Sequence, residues 1–456
     1  MIEIGIFNNG ASDLPSIRTD DEVVVNDGSL KDVHESAQRT IINQIRQGIL
    51  ADKLGYDYYF LTEHHFQPEG AEMSPNPLMS QMAIAANTKR IRLGQSANII
   101  VWHHPIRFAE QVATLDVVSG GRVECGIGRG YQPRENEVLG RPYGSTIQDQ
   151  ERNRAAYEEA YDLIVKAWTQ PSLAHHGENF SVPPTYTKWN HKQTIAYYKM
   201  HKVERDLDNV LKIGRPDMYA AGNPVVATTT TLKEISVFPQ PVQKPHPQLW
   251  EPLTSERSIR MCAQRGINGV FVVEPNDRLK RNIDVYYEEA EKNNWPDRLN
   301  RGPFKRGWDA QKRRGIVTTR YIFITTKGKE REQLERAGRG LELQWHYYGP
   351  FGFSAVLSRL NEPMLDLNTV VTADMLRERD VAIDGSRQEV IDKIMRVKEE
   401  CGYDDFMFLA WFERGGFSGE EIEEQMQIFA EDIMPVLRRE CGGSPVLPTS
   451  DVNFSL

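Results

Sequence analysis

Four short motifs between residues 60 and 130 decide the fold. They read Phe-Leu-Thr-Glu-His-His at 60–65, Ile-Arg-Leu-Gly-Gln-Ser-Ala-Asn at 91–98, His-His-Pro-Ile-Arg-Phe-Ala-Glu at 103–110 and Gly-Ile-Gly-Arg-Gly at 126–130. Each motif follows a β-like run or begins a helix-like run. Alternation of strand and helix at this spacing is typical of parallel strands joined by crossover helices. Polar residues at the carboxyl ends of such strands carry the chemistry of α/β barrels.

The alternation of strands and helices extends over most of the chain. Strand-like runs begin at residues 3, 57, 91, 122, 248, 269, 318 and 406, and helix-like runs or helix-capping boxes lie between them. Eight parallel strands with intervening helices predict an α/β fold of the (β/α)8 TIM-barrel type. A bare barrel needs about 250 residues. We therefore predict a single domain over 1–456, with insertions after the fourth strand and around the seventh, at about 170–247, 299–315 and 338–384.

Composition and charge exclude several classes of protein. The hydrophobic fraction of 39% and the charged fraction of 26% are typical of a soluble globular protein. A net charge of -9 argues against a nucleic-acid partner, because phosphate binding needs a basic surface. No stretch is long and apolar enough for a membrane span. Four widely spaced cysteines, at 125, 262, 401 and 441, indicate reduced thiols and a cytoplasmic location.

The histidine pair after the second strand has three interpretations. Adjacent residues leaving a strand point to opposite sides, so one of His64 and His65 can face the barrel mouth. Two surface or packing histidines fit the pattern equally well. Together with His103 and His104 the pair can also be read as zinc ligands. Adjacent histidines diverge, however, and no regularly spaced carboxylate completes a tetrahedral set, so we predict no metal site.

Taken in order, the motifs resemble the bacterial luciferase-like flavin-dependent monooxygenase family, which includes alkanal monooxygenase. The resemblance covers residues 1–170 and returns at 236–275 and 385–435. It implies a TIM barrel that binds FMN, supplied in its reduced form by a separate NAD(P)H:flavin reductase. It further implies that O2, as co-substrate, reacts through a flavin C4a-hydroperoxide to oxygenate a small organic substrate. A homodimer formed through helices near 77–87 and 107–118 is also implied.

The resemblance assigns the site residue by residue. His64 matches the catalytic histidine, a general acid and base whose imidazole titrates near neutral pH, and His65 is its neighbour. Ser96 and Ala97 match a dipeptide that forms a non-proline cis peptide beneath the flavin ring, and Asn98 ends the same strand. The residues matched to the phosphate site are Arg129, Gly130, Thr254, Ser255 and Ser258. Free N–H groups at a helix start favour an anion, although Gly-x-Gly-Arg-Gly alone also suits a tight turn and Ser255 alone a helix cap.

Other functions stay open on the sequence. A deazaflavin F420-dependent hydride-transfer enzyme has the same fold, and a non-catalytic flavin-binding protein or a metal-dependent hydrolase are further alternatives. Two segments bear on the substrate. The basic run 299–315 suits either a lid over an anionic substrate or a solvated loop, and the aromatic run 345–353 suits either a pocket wall or packing beneath a loop.

Overall fold

The computed structural model describes residues 1–189, 191–201, 211–212, 231–295, 315–402 and 405–443. Contacts divide the chain into two compact units. One comprises Met1–Ile99, Leu115–Glu135 and Val242–Leu456, and the other comprises Ile100–Thr114 and Asn136–Pro241. Of the predicted basic insertion at 299–315, all but Gly315 lies outside the described residues. The single domain and the limits of the insertions stay predictions.

Eight parallel strands of the first unit form the barrel. They are β1 (Ile2–Asn8), β2 (Tyr58–Leu61), β3 (Arg92–Gln95), β4 (Val123–Gly128), β5 (Gln248–Pro252), β6 (Asn268–Phe271), β7 (Ile316–Ile324) and β8 (Phe406–Trp411). Each strand pairs with its neighbours in the order β5-β6-β7-β8-β1-β2-β3-β4, and β4 pairs again with β5. The sheet is therefore closed, and the predicted (β/α)8 TIM barrel is confirmed.

The longer helices follow the strands as a crossover topology requires. They are α1 (Leu30–Leu54), α2 (Pro77–Asn87), α3 (Pro105–Ser119), α4 (Gln150–Thr169), α5 (Glu256–Arg265), α6 (Asn276–Lys292), α7 (Glu330–Tyr348), α8 (Arg387–Cys401), α9 (Gly419–Ile428) and α10 (Met434–Cys441). The predicted capping boxes are present, since Ser386 and Ser418 each accept a hydrogen bond from the backbone of a glutamate three residues later. Among the described residues, none of the helices is long and apolar enough to cross a membrane.

Three elements depart from the sequence prediction. The predicted strand 91–101 ends at Gln95, and Asn98–Ile99 resumes pairing with β4 only after a cis peptide bond. Helix α7 was not predicted, because its residues 338–348 lie in a segment that was predicted to be an insertion. A short strand, Ala382–Gly385, adds to β7 outside the eight-strand ring.

The amino-terminal end of the barrel interior is closed by a layer of polar side chains. Glu3 accepts a hydrogen bond of 2.9 Å from the Tyr58 hydroxyl, and Arg92 donates to the same hydroxyl at 3.3 Å. Arg92 also pairs with Glu124, which accepts a 2.6 Å hydrogen bond from Trp250 Nε1. Buried charges of opposite sign thus compensate each other within this layer. The opposite, carboxyl-terminal end is where the barrel has an internal cavity.

The second unit contains α4, a helix at Lys192–His201 and two short antiparallel strand pairs. One strand pair, His175–His176 with Ser181–Val182, is anchored to α4 by Glu159. This carboxylate lies 2.9 Å from His175 Nε2 and accepts a 2.9 Å hydrogen bond from the Asn179 backbone. The anchoring hydrogen bonds connect the strand pair to the helix that precedes it in the chain.

Candidate active site

A cavity of about 310 Å³ lies at the carboxyl ends of the barrel strands, within the first unit. Its volume is in the range of small-molecule sites, about 300–1,000 Å³. The lining residues follow successive strands: Asn9 after β1, His64 after β2, Ser96 after β3, Arg129 after β4 and Ser255 after β5. This is the end of the barrel at which TIM-barrel enzymes carry out their reactions.

His64 lies in this cavity between two buried carboxylates. Its Nε2 is 3.2 Å from Glu72 Oε1, and its Nδ1 is 3.6 Å from Glu135 Oε1. Burial alone lowers the pKa of the imidazole, but the charges of Glu72 and Glu135 outweigh burial and raise this pKa above its ordinary value. The arrangement therefore favours a protonated His64 in a water-poor site.

Glu72 is itself held by neighbours that sequence reasoning missed. Its carboxylate accepts hydrogen bonds from the Tyr131 hydroxyl at 2.9 Å, from Gln132 Nε2 at 2.9 Å and from Asn9 Nδ2 at 3.2 Å. These residues belong to the loops after β1, β2 and β4, and no local periodicity or spacing relates them. Together they fix the position of the carboxylate that faces His64.

His65 points away from the cavity. Its backbone N–H donates to Glu135 Oε1 at 2.5 Å, and its Nε2 lies 3.5 Å from Glu63 Oε1. Glu63 in turn accepts a 2.7 Å hydrogen bond from the Ile99 backbone. Unlike His64, His65 is not among the described residues that line the cavity. The two histidines therefore diverge, as expected for neighbours leaving a strand, and a catalytic role for His65 stays a prediction.

The peptide bond between Ser96 and Ala97 is cis, as the resemblance implies. Both residues line the cavity, whereas the Asn98 side chain does not. The Asn98 amide donates to Gln95 Oε1 at 3.0 Å and to the Gly126 carbonyl at 2.9 Å, which ties β3 to β4. Gly126 is required there, because a Cβ at this position would lie 1.6 Å from the Gln95 carbonyl oxygen. The contact of Asn98 with a cofactor stays a prediction.

The five residues predicted to bind phosphate come together on the cavity wall: Arg129, Gly130, Thr254, Ser255 and Ser258. Ser255 is the N-cap of α5, where its hydroxyl accepts from the Ser258 backbone at 3.3 Å and donates to the Ser258 hydroxyl at 3.0 Å. Gly130 has a positive φ of 70°, a conformation that glycine adopts without strain. A guanidinium beside the start of a helix is a favourable environment for an anion.

A metal site has no support among the residues that the structure describes. No group of three or more histidine, cysteine, aspartate or glutamate side chains is arranged there to hold an ion.

The four cysteines are free thiols, and three of them are buried. Burial raises the pKa of the Cys125 and Cys262 thiols above the ordinary value of a cysteine.

A closed (β/α)8 barrel with a buried histidine between two carboxylates, and with an arginine beside a helix start at its carboxyl end, defines a class of TIM-barrel proteins with an enzyme-like site. Residues 24–224 match the family described as luciferase-like monooxygenase. The chain resembles this luciferase-like family over the part of the sequence that the match covers.

Relatives of known sequence cover different shares of the chain. The uncharacterized protein y4wF of Sinorhizobium fredii is 29% identical over 238 residues, which is 52% of this chain and 52% of that protein. The chain thus spans about half the length of that relative. The oxygenase component of a flavin-dependent trigonelline monooxygenase from Acinetobacter baylyi is 23% identical, over 85% of this chain and 87% of the relative.

Solved structures with low sequence identity share the fold. The oxygenating constituent of 3,6-diketocamphane monooxygenase from Pseudomonas putida, in complex with FMN, has a TM-score of 0.62 and 17% identity, covering 95% of this chain and 98% of that chain. An F420-dependent secondary alcohol dehydrogenase has a TM-score of 0.57 and 16% identity, covering 96% and 99% respectively. Neighbours with different cofactors therefore share this barrel.

Proposed function

We propose that this protein is a flavin-dependent monooxygenase that uses reduced FMN and O2 to oxygenate a small organic substrate. The observation that carries the proposal is that one cavity is lined by His64, by the cis Ser96–Ala97 peptide and by Arg129 together with Ser255 at the start of α5. The match to the luciferase-like family supports an oxidoreductase, and the FMN complex of a structural neighbour supports a flavin of this type.

The residues present fit FMN. A phosphate needs a cation and N–H or O–H donors, and the cavity provides Arg129, Ser255, Ser258 and the first turn of α5. Ser96 Oγ has no hydrogen-bond partner among the described residues, so a polar group of a ligand has a partner available beside the cis peptide. Reduced FMN, when bound, supplies the two electrons with which one atom of O2 enters the substrate while the other leaves as water.

We propose that His64 donates and accepts the protons of this reaction. Protonation at Nε2 is stabilised by Glu72 at 3.2 Å, and protonation at Nδ1 is favoured by Glu135 at 3.6 Å. His64 can therefore hold a proton in the cavity and release it to a neighbouring oxygen atom as charge develops there. Phe7, Leu253 and Trp411 line the same cavity and exclude water from it.

Partners follow from the same proposal. A relative that is named as an oxygenase component supports a separate NAD(P)H:flavin reductase as the source of reduced FMN. We also propose a cytoplasmic homodimer in which the two copies contact each other through α2 and α3.

The second candidate function is an F420-dependent hydride transfer, because an F420-dependent neighbour has the same fold.

The test measures formation of an oxygenated product from a panel of small organic compounds, with reduced FMN that is regenerated by a flavin reductase and in a parallel reaction with reduced F420. Oxygen consumption alone is not sufficient, because free reduced FMN reacts with O2 without protein. We expect product with FMN and O2 only, and a loss of about 10²- to 10⁴-fold in product formation for His64→Ala, while FMN still binds. His34→Ala, which changes an exposed histidine of α1, is the matched control and should retain full turnover. Product formation with reduced F420 in the absence of O2 would instead establish the second candidate.

A further inference from the structure

The cavity has a continuous aromatic surface whose rings are assigned neither to the phosphate site nor to proton transfer. It consists of Tyr131, Trp345, Tyr348 and Phe353, here called the aromatic wall, and all four side chains line the cavity. The ring centroids of Tyr131 and Phe353 are 5.2 Å apart, those of Tyr348 and Phe353 are 6.0 Å apart, and those of Trp345 and Tyr348 are 6.0 Å apart. Each separation lies within the range of interacting rings.

The two tyrosine hydroxyls of the aromatic wall are engaged elsewhere, whereas Trp345 Nε1 has no hydrogen-bond partner among the described residues. The Tyr131 hydroxyl donates to Glu72, and the Tyr348 hydroxyl accepts from Asn9 Nδ2 at 2.7 Å and donates to the Ala71 carbonyl at 3.3 Å. These hydrogen bonds hold the two phenol rings in fixed positions. The two tyrosines therefore offer a ligand ring surface in a preset geometry, which binds at little cost in side-chain entropy.

The aromatic wall adjoins the proton site. The ring of Tyr131 is 5.8 Å from the ring of His64, centroid to centroid, in an edge-on arrangement. Tyr131 also shares Glu72 with His64, because both side chains contact that carboxylate. A molecule packed against the aromatic wall thus lies beside the group proposed to transfer protons.

We propose that the aromatic wall binds the substrate, and that the substrate is a planar aromatic compound rather than an aliphatic chain. The oxygenation of that substrate rests on the proposed function, whereas its binding does not. Flat rings pack edge-to-face or offset against other rings, an interaction that a puckered or linear aliphatic molecule of equal size does not make.

The test compares three probes with equal numbers of carbon atoms and one oxygen atom each: 2-naphthol, decahydro-2-naphthol and decanal. Their affinities for the full chain loaded with oxidised FMN are measured by calorimetry, so that no turnover occurs. We expect 2-naphthol to bind about tenfold more tightly than either aliphatic probe. Equal affinities, or tighter binding of decanal, would overturn the proposal on the unmodified protein alone.

A pair of variants locates the binding. Phe353→Leu should lower the affinity for 2-naphthol by about 3- to 10-fold and leave the affinities for decanal and FMN unchanged. Phe351→Leu is the matched control, because this ring packs 5.4 Å from Tyr131 but is 37% exposed and is not among the cavity-lining residues described. If Phe353→Leu lowers the affinities for FMN and 2-naphthol equally, the aromatic wall binds the cofactor and the proposal is refuted.

Failure of this proposal and failure of the proposed function are distinguishable. A protein that forms an oxygenated product with reduced FMN and O2 but binds the three probes equally contradicts only the aromatic wall as a substrate site. A protein that prefers 2-naphthol but forms no oxygenated product with reduced FMN and O2 contradicts only the monooxygenase reaction.

Discussion

Removal of the Arg129 guanidinium should weaken FMN binding selectively through the phosphate. Arg129 lines the cavity beside Ser255 and Ser258, the donors at the start of α5. A hydrogen bond between charged groups contributes about 1.5–3 kcal/mol, and about 1.4 kcal/mol corresponds to a tenfold change in affinity. The Arg129→Ala variant should therefore raise the Kd of FMN by about 10- to 150-fold. Riboflavin lacks the phosphate, so its Kd should stay within about twofold.

The assay is a flavin fluorescence titration of both ligands at one fixed ionic strength, because charge interactions weaken with added salt. Arg134→Ala is the matched control, since Arg134 is exposed, pairs with Glu69 at 3.0 Å and is not among the described cavity-lining residues. It should leave both affinities unchanged. The reasoning is refuted if Arg129→Ala weakens FMN and riboflavin equally, or if it changes neither.

Three further predictions concern protonation, stability and assembly. Glu72→Gln removes a charge that raises the pKa of His64, so the His64 titration followed by NMR should move to lower pH, and an unchanged titration would contradict the assigned contact. Arg122→Ala should lower the free energy of unfolding by about 3 kcal/mol or more in chemical denaturation, because its buried guanidinium donates to four backbone carbonyl groups and one hydroxyl. Met79→Lys, at a 71% exposed position on α2, should convert a dimer to a monomer in light scattering, whereas Met364→Lys, 70% exposed outside that helix, should not. A monomeric unmodified protein would contradict the dimer.

The barrel could be predicted because its signals are local. The apolar runs of β1 to β8 and the capping residues of α8 and α9 depend only on neighbours within a few positions. The break in β3 could not be predicted from propensity, because Arg92–Ile99 reads as an uninterrupted strand. The chain instead has a cis peptide bond at Ser96–Ala97, after which Asn98 and Ile99 pair with β4. Helix α7 was missed because its glycines, Gly338 and Gly340, weaken its helical pattern, yet both glycines are buried.

The candidate site was predictable only in part. His64, Ser96, Ala97 and Arg129 follow barrel strands directly, so their approach to one another follows from the topology. The carboxylate of Glu72 comes from a loop whose path no local pattern specifies, and so its contact with His64 emerges only from the tertiary structure.

Motif residues also differ in what they do. Arg122 lies between the motif at 103–110 and the motif at 126–130, and its guanidinium donates to the carboxyl-terminal ends of α2 and α3. Asn98 likewise connects two strands. A sequence motif therefore combines residues that bind a ligand with residues that hold the barrel together, and the geometry separates the two groups.

Incorporation of isotopically labelled O2 tests the central claim most directly. The protein is supplied with FMN, a flavin reductase, NADH and a panel of aromatic compounds, and the products are analysed by mass spectrometry. We predict a product that contains one labelled oxygen atom and that forms only when reduced FMN and O2 are both present. A product that forms without O2 in the presence of reduced F420, or that carries no label, would contradict the account.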